Sequence, residues 1–114
     1  MPVVTLNGVD LYYEIKGEGP PLIFTHGHSM NHEQWEPQVN ALSSFYQIIT
    51  WDARGHGHST LPPGPVDPRD FSRDLHSLID YLQLKSVVLC GLSMGGHISL
   101  QTALFYPEKI RGLI

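Results

Sequence analysis

The chain contains the apolar run Ser86-Val87-Val88-Leu89-Cys90, followed at once by Gly91-Leu92-Ser93-Met94-Gly95. The apolar run predicts a buried strand, and the residues from 96 to 104 have the pattern of a helix. A strand, then G-x-S-x-G, then a helix is the arrangement in which a sharp turn lifts a serine clear of the backbone. We expect glycine to be required at Gly91 and Gly95, because a Cβ there would clash with the neighbouring strand and helix.

Ser93 is the candidate nucleophile of this turn. Its hydroxyl is expected at the carboxyl end of the sheet, where the N-terminus of the following helix favours negative charge. In acyl transfer that charge develops on the carbonyl oxygen, and backbone N–H groups stabilise it. One of these donors should be the residue after the nucleophile, Met94. The stretch therefore predicts a serine hydrolase, or part of one.

The partners that would activate Ser93 are not evident. A serine nucleophile needs a general base, usually oriented by a carboxylate, and with this turn both follow the serine along the chain. After Ser93 there is one histidine, His97, and one acid, Glu108. His97 lies one helical turn from Ser93 and is a weak candidate for a substitute base. We therefore expect the triad acid and histidine to be missing from residues 1–114.

The last residues, from 111 to Ile114, predict a strand that is just beginning. We expect a single partial domain over residues 1–114, either a fragment of a longer hydrolase or the product of a truncated reading frame. The final strand would be a sheet edge with unpaired N–H and C=O groups, and such an edge invites self-association.

Composition narrows the class of protein. Hydrophobic residues make up 41% and charged residues 16%, an ordinary globular balance. The formal net charge is −4, and no run of basic residues gives electrostatic support for binding nucleic acid or an anionic membrane. No signal peptide and no apolar run of about 18 residues is visible, so a cytoplasmic protein is expected. The single Cys90 excludes an internal disulfide and is expected to be a packed, unreactive thiol.

The rest of the chain predicts an α/β fold: a mostly parallel sheet with an N-terminal β-hairpin and flanking helices. Asn7-Gly8 supplies the two positive φ angles of a type I′ hairpin turn between two strand-like runs. Short buried strands and amphipathic helices then alternate, which favours parallel strands with helices on both faces. The predicted strands after the hairpin are 22–25, 46–51 and 86–90, and Trp35, Val39 and Leu42 mark the first helix.

The second helix has a clear start signal. We expect Asp67 to be its N-cap and Pro68 its first residue. Its apolar stripe consists of Phe71, Leu75, Leu78 and Leu82. Asp74 and Asp80 are predicted on its solvated face.

Three motifs, each following a predicted strand, occur in a fixed order: His26-Gly27-His28-Ser29, then Asp52-Ala53-Arg54-Gly55-His56-Gly57-His58-Ser59, then the turn at Gly91–Gly96. In this combination the chain resembles the N-terminal half of the α/β-hydrolase fold superfamily, and the resemblance covers nearly the whole chain. It implies that the backbone N–H of His28 is the second oxyanion donor. It also implies that His26 braces its loop.

The resemblance assigns structural roles to the second motif, where His56, His58 and Asp52 shape a loop and the guanidinium of Arg54 is expected to bridge loop carbonyls. The remaining histidine of this region, His32, is expected to start the first helix. These histidines and those of the first motif could cluster at one sheet edge, yet they lack the spacing of a metal site, so no metal is expected.

The resemblance implies no cofactor and a small-molecule ester or lactone substrate. A serine at the turn disfavours the branches with an aspartate nucleophile, the dehalogenases and epoxide hydrolases. Carboxylesterase, lactonase, monoacylglycerol-type lipase, C–C hydrolase and cofactor-free peroxidase branches stay open. The alternative from another class is a non-catalytic truncated module, either a relic or a small-ligand binding protein.

Overall fold

The chain opens with the predicted β-hairpin. The structure, a computed structural model, describes residues 2–114. Strand β1 (Val3–Leu6) pairs antiparallel with β2 (Val9–Lys16). The turn residues Asn7 and Gly8 have φ angles of 54° and 75°. These are the two positive angles that the Asn-Gly pair was expected to supply, and the prediction is confirmed.

Four further strands complete one mixed sheet: β3 (Pro21–Thr25), β4 (Gln47–Trp51), β5 (Val87–Gly91) and β6 (Ile110–Leu113). The strand order is β1-β2-β4-β3-β5-β6. Strands β3, β4, β5 and β6 run parallel, whereas β2 runs antiparallel to both of its neighbours. The predicted fold class is confirmed.

Helices cover both faces of the sheet. A 3₁₀ turn (His32–Trp35) leads into α1 (Glu36–Leu42), which packs on one face. Helices α2 (Arg69–Tyr81) and α3 (Met94–Phe105) pack on the other face. Alternate strand residues divide between the two cores: Ile23, Ile49 and Leu89 face α2 and α3, and Leu22, Phe24, Ile48 and Cys90 face α1.

Helix α2 differs from the prediction at its start. It begins at Arg69 rather than Pro68, and Pro68 occupies the capping position. The Asp67 carboxylate still accepts a hydrogen bond from the Arg69 N–H at 2.9 Å, so it satisfies a free donor of the first turn. The Arg69 side chain also holds the pKa of Asp67 below its usual value.

The prediction that Asp74 lies on the solvated face of α2 is wrong. Asp74 is fully buried, whereas Asp80 is exposed as predicted. The reason is periodicity: position 74 is three residues after Phe71 and four before Leu78, so it lies within the apolar stripe. It is buried there because the side chains of Arg54 and Asn7 reach it.

The parallel strands bring three loops together. Strands β4, β3 and β5 are neighbours, so the residues that follow their carboxyl ends share one edge of the sheet. These are the three motifs of the sequence. None of the helices within residues 2–114 is long and apolar enough to cross a lipid bilayer.

Candidate active site

The turn between β5 and α3 holds Ser93 in an unusual backbone conformation. Its φ and ψ are 54° and −113°, a region that L-residues occupy only under constraint. A Cβ on Gly91 would collide with the backbone of Gly95, and a Cβ on Gly95 would collide with the carbonyl of Thr25 on β3. Strand, turn and helix therefore approach closely enough to require glycine at both positions.

The Ser93 side chain is exposed, and its hydroxyl makes no hydrogen bond with residues 2–114. Backbone hydrogen bonds hold the turn: the Ser93 carbonyl accepts a hydrogen bond from the His97 N–H at 3.1 Å, and the Leu92 carbonyl accepts one from the Gly95 N–H at 2.9 Å. The turn thus presents a hydroxyl whose hydrogen-bonding capacity is unused within the described chain.

The two residues considered as partners of Ser93 are placed differently. The exposed ring of His97 borders the same cavity as Ser93, without a hydrogen bond between the two side chains. Glu108 lies in the 3₁₀ turn Pro107–Lys109, beyond the far end of α3. A helix of this length separates its ends by about 18 Å, so Glu108 is not part of the Ser93 site.

The loop after β3 packs against the Ser93 turn. The Leu92 N–H contacts the Thr25 carbonyl oxygen at 3.4 Å, and Gly27 approaches Leu92 and Ser93. His28 and Met94 border the same cavity as Ser93. Among residues 2–114, neither the His28 N–H nor the Met94 N–H has a hydrogen-bond acceptor. Two free backbone donors therefore lie beside the serine.

His26 is fully buried and braces this loop, as the resemblance implied. Its Nδ1 lies 2.7 Å from the Gly27 carbonyl oxygen, and its Nε2 accepts a hydrogen bond from the Ala53 N–H at 3.0 Å. This pairing requires a neutral ring with the proton on Nδ1. Burial lowers the pKa of His26, which favours the same neutral form.

Asp52 organises the loop after β4. Its buried carboxylate accepts hydrogen bonds from the His32 N–H at 2.7 Å and the His58 N–H at 2.9 Å, and it lies 2.8 Å from Nδ1 of His32. A Cβ on Gly57 would collide with this carboxylate. Asp52 therefore stabilises the loop through hydrogen bonds. His32 begins the 3₁₀ turn that leads into the first helix, as expected.

Arg54 has a different partner from the one expected. Its guanidinium makes a two-point contact with the Asp74 carboxylate, with distances of 2.7 Å from Nε and 2.9 Å from Nη2. It does not bridge loop carbonyls, because a buried carboxylate offers the planar guanidinium a charged, two-point acceptor. The hydrogen bond to Asp74 raises the pKa of Arg54.

A cavity of about 450 Å³ opens beside Ser93. Its lining contains no Asp, Glu, Lys or Arg and consists of His28, Pro68, Phe71, Ser93, Met94, His97, Ile98 and Gln101. The histidine rings of the loops pack against one another at an angle, with the rings of His26 and His56 centred 5.0 Å apart and inclined by 48°. Within the described residues, no three His, Cys, Asp or Glu side chains form a group that could hold a metal ion.

One contact near this cavity is not indicated by the sequence. The Gly27 N–H donates a hydrogen bond to Oε1 of Gln34 at 2.9 Å. Gln34 lies in the 3₁₀ turn before α1, and neither its position nor its neighbours form a motif. Only the packing of this turn against β3 brings it to the loop.

Two further predictions concern strand β6 and the cysteine on strand β5. Strand β6 lies at the edge, and Ile114 after it is 78% exposed. Cys90 on β5 is buried as predicted, and burial raises the pKa of its thiol to about 11. The thiol is thus protonated and packed at neutral pH.

The chain is similar to known proteins in sequence and in structure. The family model described as the alpha/beta hydrolase fold matches residues 20–114. The chain is 34% identical to 3-oxoadipate enol-lactonase 2 of Acinetobacter baylyi, over 97% of the chain and 42% of that protein. It is 40% identical to the non-heme chloroperoxidase CPO-A1 of Kitasatospora aureofaciens, over 84% of the chain and 36% of that protein.

A solved structure shows the same likeness. The enol-lactonase from Burkholderia xenovorans LB400 superimposes with a TM-score of 0.93 and 34% identity, over 98% of this chain and 45% of that one. The chain therefore belongs to the α/β-hydrolase fold family. It spans less than half the length of the curated relatives that it matches.

Proposed function

We propose that the chain carries the nucleophile and oxyanion hole of a serine hydrolase that acts on an ester-type carbonyl. Ser93 is the nucleophile, and the backbone N–H groups of His28 and Met94 bind the oxyanion. The observation that carries the proposal is the combination of a strained, exposed serine with an unbonded hydroxyl and two unbonded N–H groups beside one cavity.

The chemistry follows from this arrangement. The Ser93 oxygen bonds to the carbonyl carbon while its proton passes to a base, and the C=O electron pair moves onto the carbonyl oxygen. The two N–H groups stabilise that oxyanion. When the pair returns, the bond to the leaving oxygen breaks and the leaving group takes the proton. Water then cleaves the acyl-serine ester.

We propose that the base and its carboxylate come from outside these 114 residues. His97 borders the cavity but makes no hydrogen bond to Ser93, and Glu108 lies at the far end of α3. In Ser-His-Asp enzymes, catalysis without the triad falls to about 10³–10⁴-fold over water, the part contributed by the oxyanion hole and binding. The chain by itself should therefore react slowly at Ser93.

The substrate class that we propose is a small ester or lactone. The cavity lining is largely apolar, with two histidines and a glutamine and with no Asp, Glu, Lys or Arg, and this suits an uncharged group next to the scissile bond. The enol-lactonases among the relatives and solved structures are named for lactone substrates, in keeping with this class. No cofactor is required for the proposed step.

The test is reaction of the chain with a fluorophosphonate, in which the serine oxygen bonds to phosphorus and fluoride leaves. We expect one slow adduct on Ser93, absent in Ser93→Ala. Added imidazole should accelerate the labelling, because it supplies the general base that the described residues do not. A folded chain that forms no Ser93 adduct even with imidazole would contradict the proposal.

A non-catalytic module is the second candidate, and one observation favours it: the Ser93 hydroxyl has no base within residues 2–114. Such a protein would use the cavity to bind a small ligand. It should bind a neutral ester without cleaving it, and imidazole should not change this. Calorimetric titration beside the labelling assay separates the two functions.

We also propose that the β6 edge supports self-association. Leu113 and Ile114 are exposed there, and β6 has one strand neighbour within residues 2–114. Unpaired edges of this kind pair with other chains. Light scattering at increasing protein concentration should show association, and Leu113→Lys should reduce it; a monomer at all concentrations would argue against the edge contact.

A further inference from the structure

The loop that would bind the oxyanion contains a glycine that faces the serine. The Cβ position of Gly27 is 3.5 Å from the Leu92 carbonyl oxygen and 3.9 Å from Cβ of Ser93. A methyl group would fit there without a collision, but it would occupy space next to Ser93. Glycine keeps that space open and brings backbone freedom with it. Contacts from other residues therefore have to restrict the backbone of the loop at Gly27.

Both peptide groups of Gly27 are held by hydrogen bonds. Its carbonyl oxygen contacts Nδ1 of His26 at 2.7 Å and accepts a hydrogen bond from the Met30 N–H at 3.1 Å. Its N–H donates to Oε1 of Gln34 at 2.9 Å. In a planar trans peptide the N–H points opposite to the C=O, so fixing the Gly27 carbonyl also sets the direction of the His28 N–H.

Gln34 supplies the one contact to the Gly27 N–H within residues 2–114, and its own support is rigid. The 3₁₀ turn that carries it is capped by Asn31, whose Oδ1 accepts from the Glu33 N–H at 2.8 Å. Its first residue, His32, is tied to the buried Asp52. Its last residue, Trp35, packs edge-on against Phe24 of β3 with ring centroids 4.8 Å apart.

We infer that Gln34 is a positioning residue for the oxyanion loop. The Gly27 carbonyl is already bonded within its own loop. Gln34 lies in a separate element and fixes the peptide group that precedes Gly27, so it removes the backbone freedom that the glycine brings. The His28 N–H is then held beside Ser93 before substrate arrives. This inference rests on the proposed function, because it assigns Gln34 a role in the same site.

The test compares two substitutions with opposite effects on the hydrogen bond. Gln34→Met keeps the length of the side chain and removes the acceptor, whereas Gln34→Glu keeps an acceptor oxygen. Gln38→Met is the control, since Gln38 is exposed on α1 and its side chain makes no hydrogen bond within residues 2–114. Two quantities are measured: amide exchange of Gly27 by NMR, and the rate of fluorophosphonate labelling of Ser93 over a range of reagent concentrations.

We expect Gln34→Met to speed Gly27 exchange at least about tenfold and to lower the maximal labelling rate about tenfold, with the half-saturating reagent concentration unchanged. Loss of a complete oxyanion donor costs about 10²–10³ in rate, so a misdirected donor should cost less. Gln34→Glu should restore the slow exchange and most of the rate. Gln38→Met should match the wild type.

Unchanged Gly27 exchange in Gln34→Met would overturn the inference, as would an unchanged labelling rate despite faster exchange. A wild-type chain that never labels at Ser93 would instead overturn the proposed function. In that case Gly27 exchange still decides whether Gln34 holds the loop, so the two failures are distinguishable.

Discussion

Ser59 and Ser93 lie at the same end of the sheet, after the two strands that flank β3, and they have opposite surroundings. Ser59 is buried, donates to the Asp52 carbonyl at 2.6 Å and accepts from the Tyr12 N–H at 2.9 Å. Ser93 is exposed and has no side-chain hydrogen bond within residues 2–114. A polar side chain whose hydrogen bonds are made within the protein stabilises a loop. A polar side chain that the backbone holds in place without a hydrogen-bond partner is available for chemistry.

The same contrast separates the two regions around these serines. In the loop from Asp52 to Ser59, buried polar groups find partners within the chain, as the Arg54–Asp74 pair illustrates. At the Ser93 turn, backbone packing sets the strain, and the Ser93 hydroxyl and the Met94 N–H have no hydrogen-bond partner within residues 2–114. Substitutions of polar side chains should therefore lower stability in the first region and alter reactivity in the second.

Asp74→Ala should have the largest effect on stability. It leaves the buried Arg54 guanidinium without its two-point acceptor, and breaking a buried ion pair costs about 3–5 kcal/mol. Asp80→Ala on the same helix is the control, because an exposed ion pair contributes about 0–1 kcal/mol. Urea unfolding measures both, and equal losses for the two variants would contradict the structural role of Asp74.

Gly95→Ala tests the packing that creates the Ser93 turn. Its Cβ would collide with the β3 backbone, so we expect a loss of about 3 kcal/mol or a chain that does not fold. Gly96→Ala is a matched control: its Cβ would lie 3.7 Å from the Gly91 carbonyl oxygen, an ordinary contact. Alanine is a better helix former than glycine, so Gly96→Ala should be neutral or stabilising. Circular dichroism during urea unfolding compares the two, and a tolerated Gly95→Ala would refute the close approach.

The pH dependence of stability tests the neutral form of His26. Its pKa is lowered in the folded chain, so the unfolded chain binds the proton more tightly. Its contribution is complete above the unfolded pKa of about 6.5 and is lost as the pH falls through the lower folded value. The wild type should therefore exceed His26→Asn in unfolding free energy at pH 7.5, and that difference should shrink towards pH 5. A constant difference between the two proteins would argue against a neutral, buried ring.

Ser93→Gly should have the smallest effect on the unfolding free energy, and it should stabilise the chain rather than destabilise it. Glycine accepts a positive φ without a steric penalty, so relief of strain should raise the unfolding free energy by about 1 kcal/mol. Gln83→Gly, at another position with positive φ (58°), is the control at a helix end, where this conformation is common. A destabilised Ser93→Gly would mean that the serine side chain contributes to the fold.

Much of the fold could be predicted from local patterns. The hairpin at Asn7-Gly8 and the alternation of strands and helices depend on neighbouring residues, and both are confirmed. The pairing of Arg54 with Asp74 could not be predicted in the same way, because it joins a loop and a helix 20 residues apart. The position of Asp74 within the apolar stripe of α2 was the one available signal.

The same limit applies to the candidate site. The turn motif predicted Met94 as an oxyanion donor for Ser93, and the family resemblance implied His28 as the second. The three residues border one cavity, because parallel strands place their following loops at one edge. The contact between Gln34 and Gly27 depends on how the 3₁₀ turn packs on β3, and no short pattern in the sequence encodes it.

A nitrophenyl ester compares the reactivity of the two serines in one experiment. An activated ester should acylate Ser93, and the acyl group should persist because the described residues supply no base to activate the hydrolytic water. Peptide mapping of the folded chain should find the acyl group on Ser93 and none on Ser59, with no acylation in Ser93→Ala. Acylation of Ser59 to the same extent, or no acylation of a folded chain, would contradict the claim that the Ser93 turn presents a reactive hydroxyl.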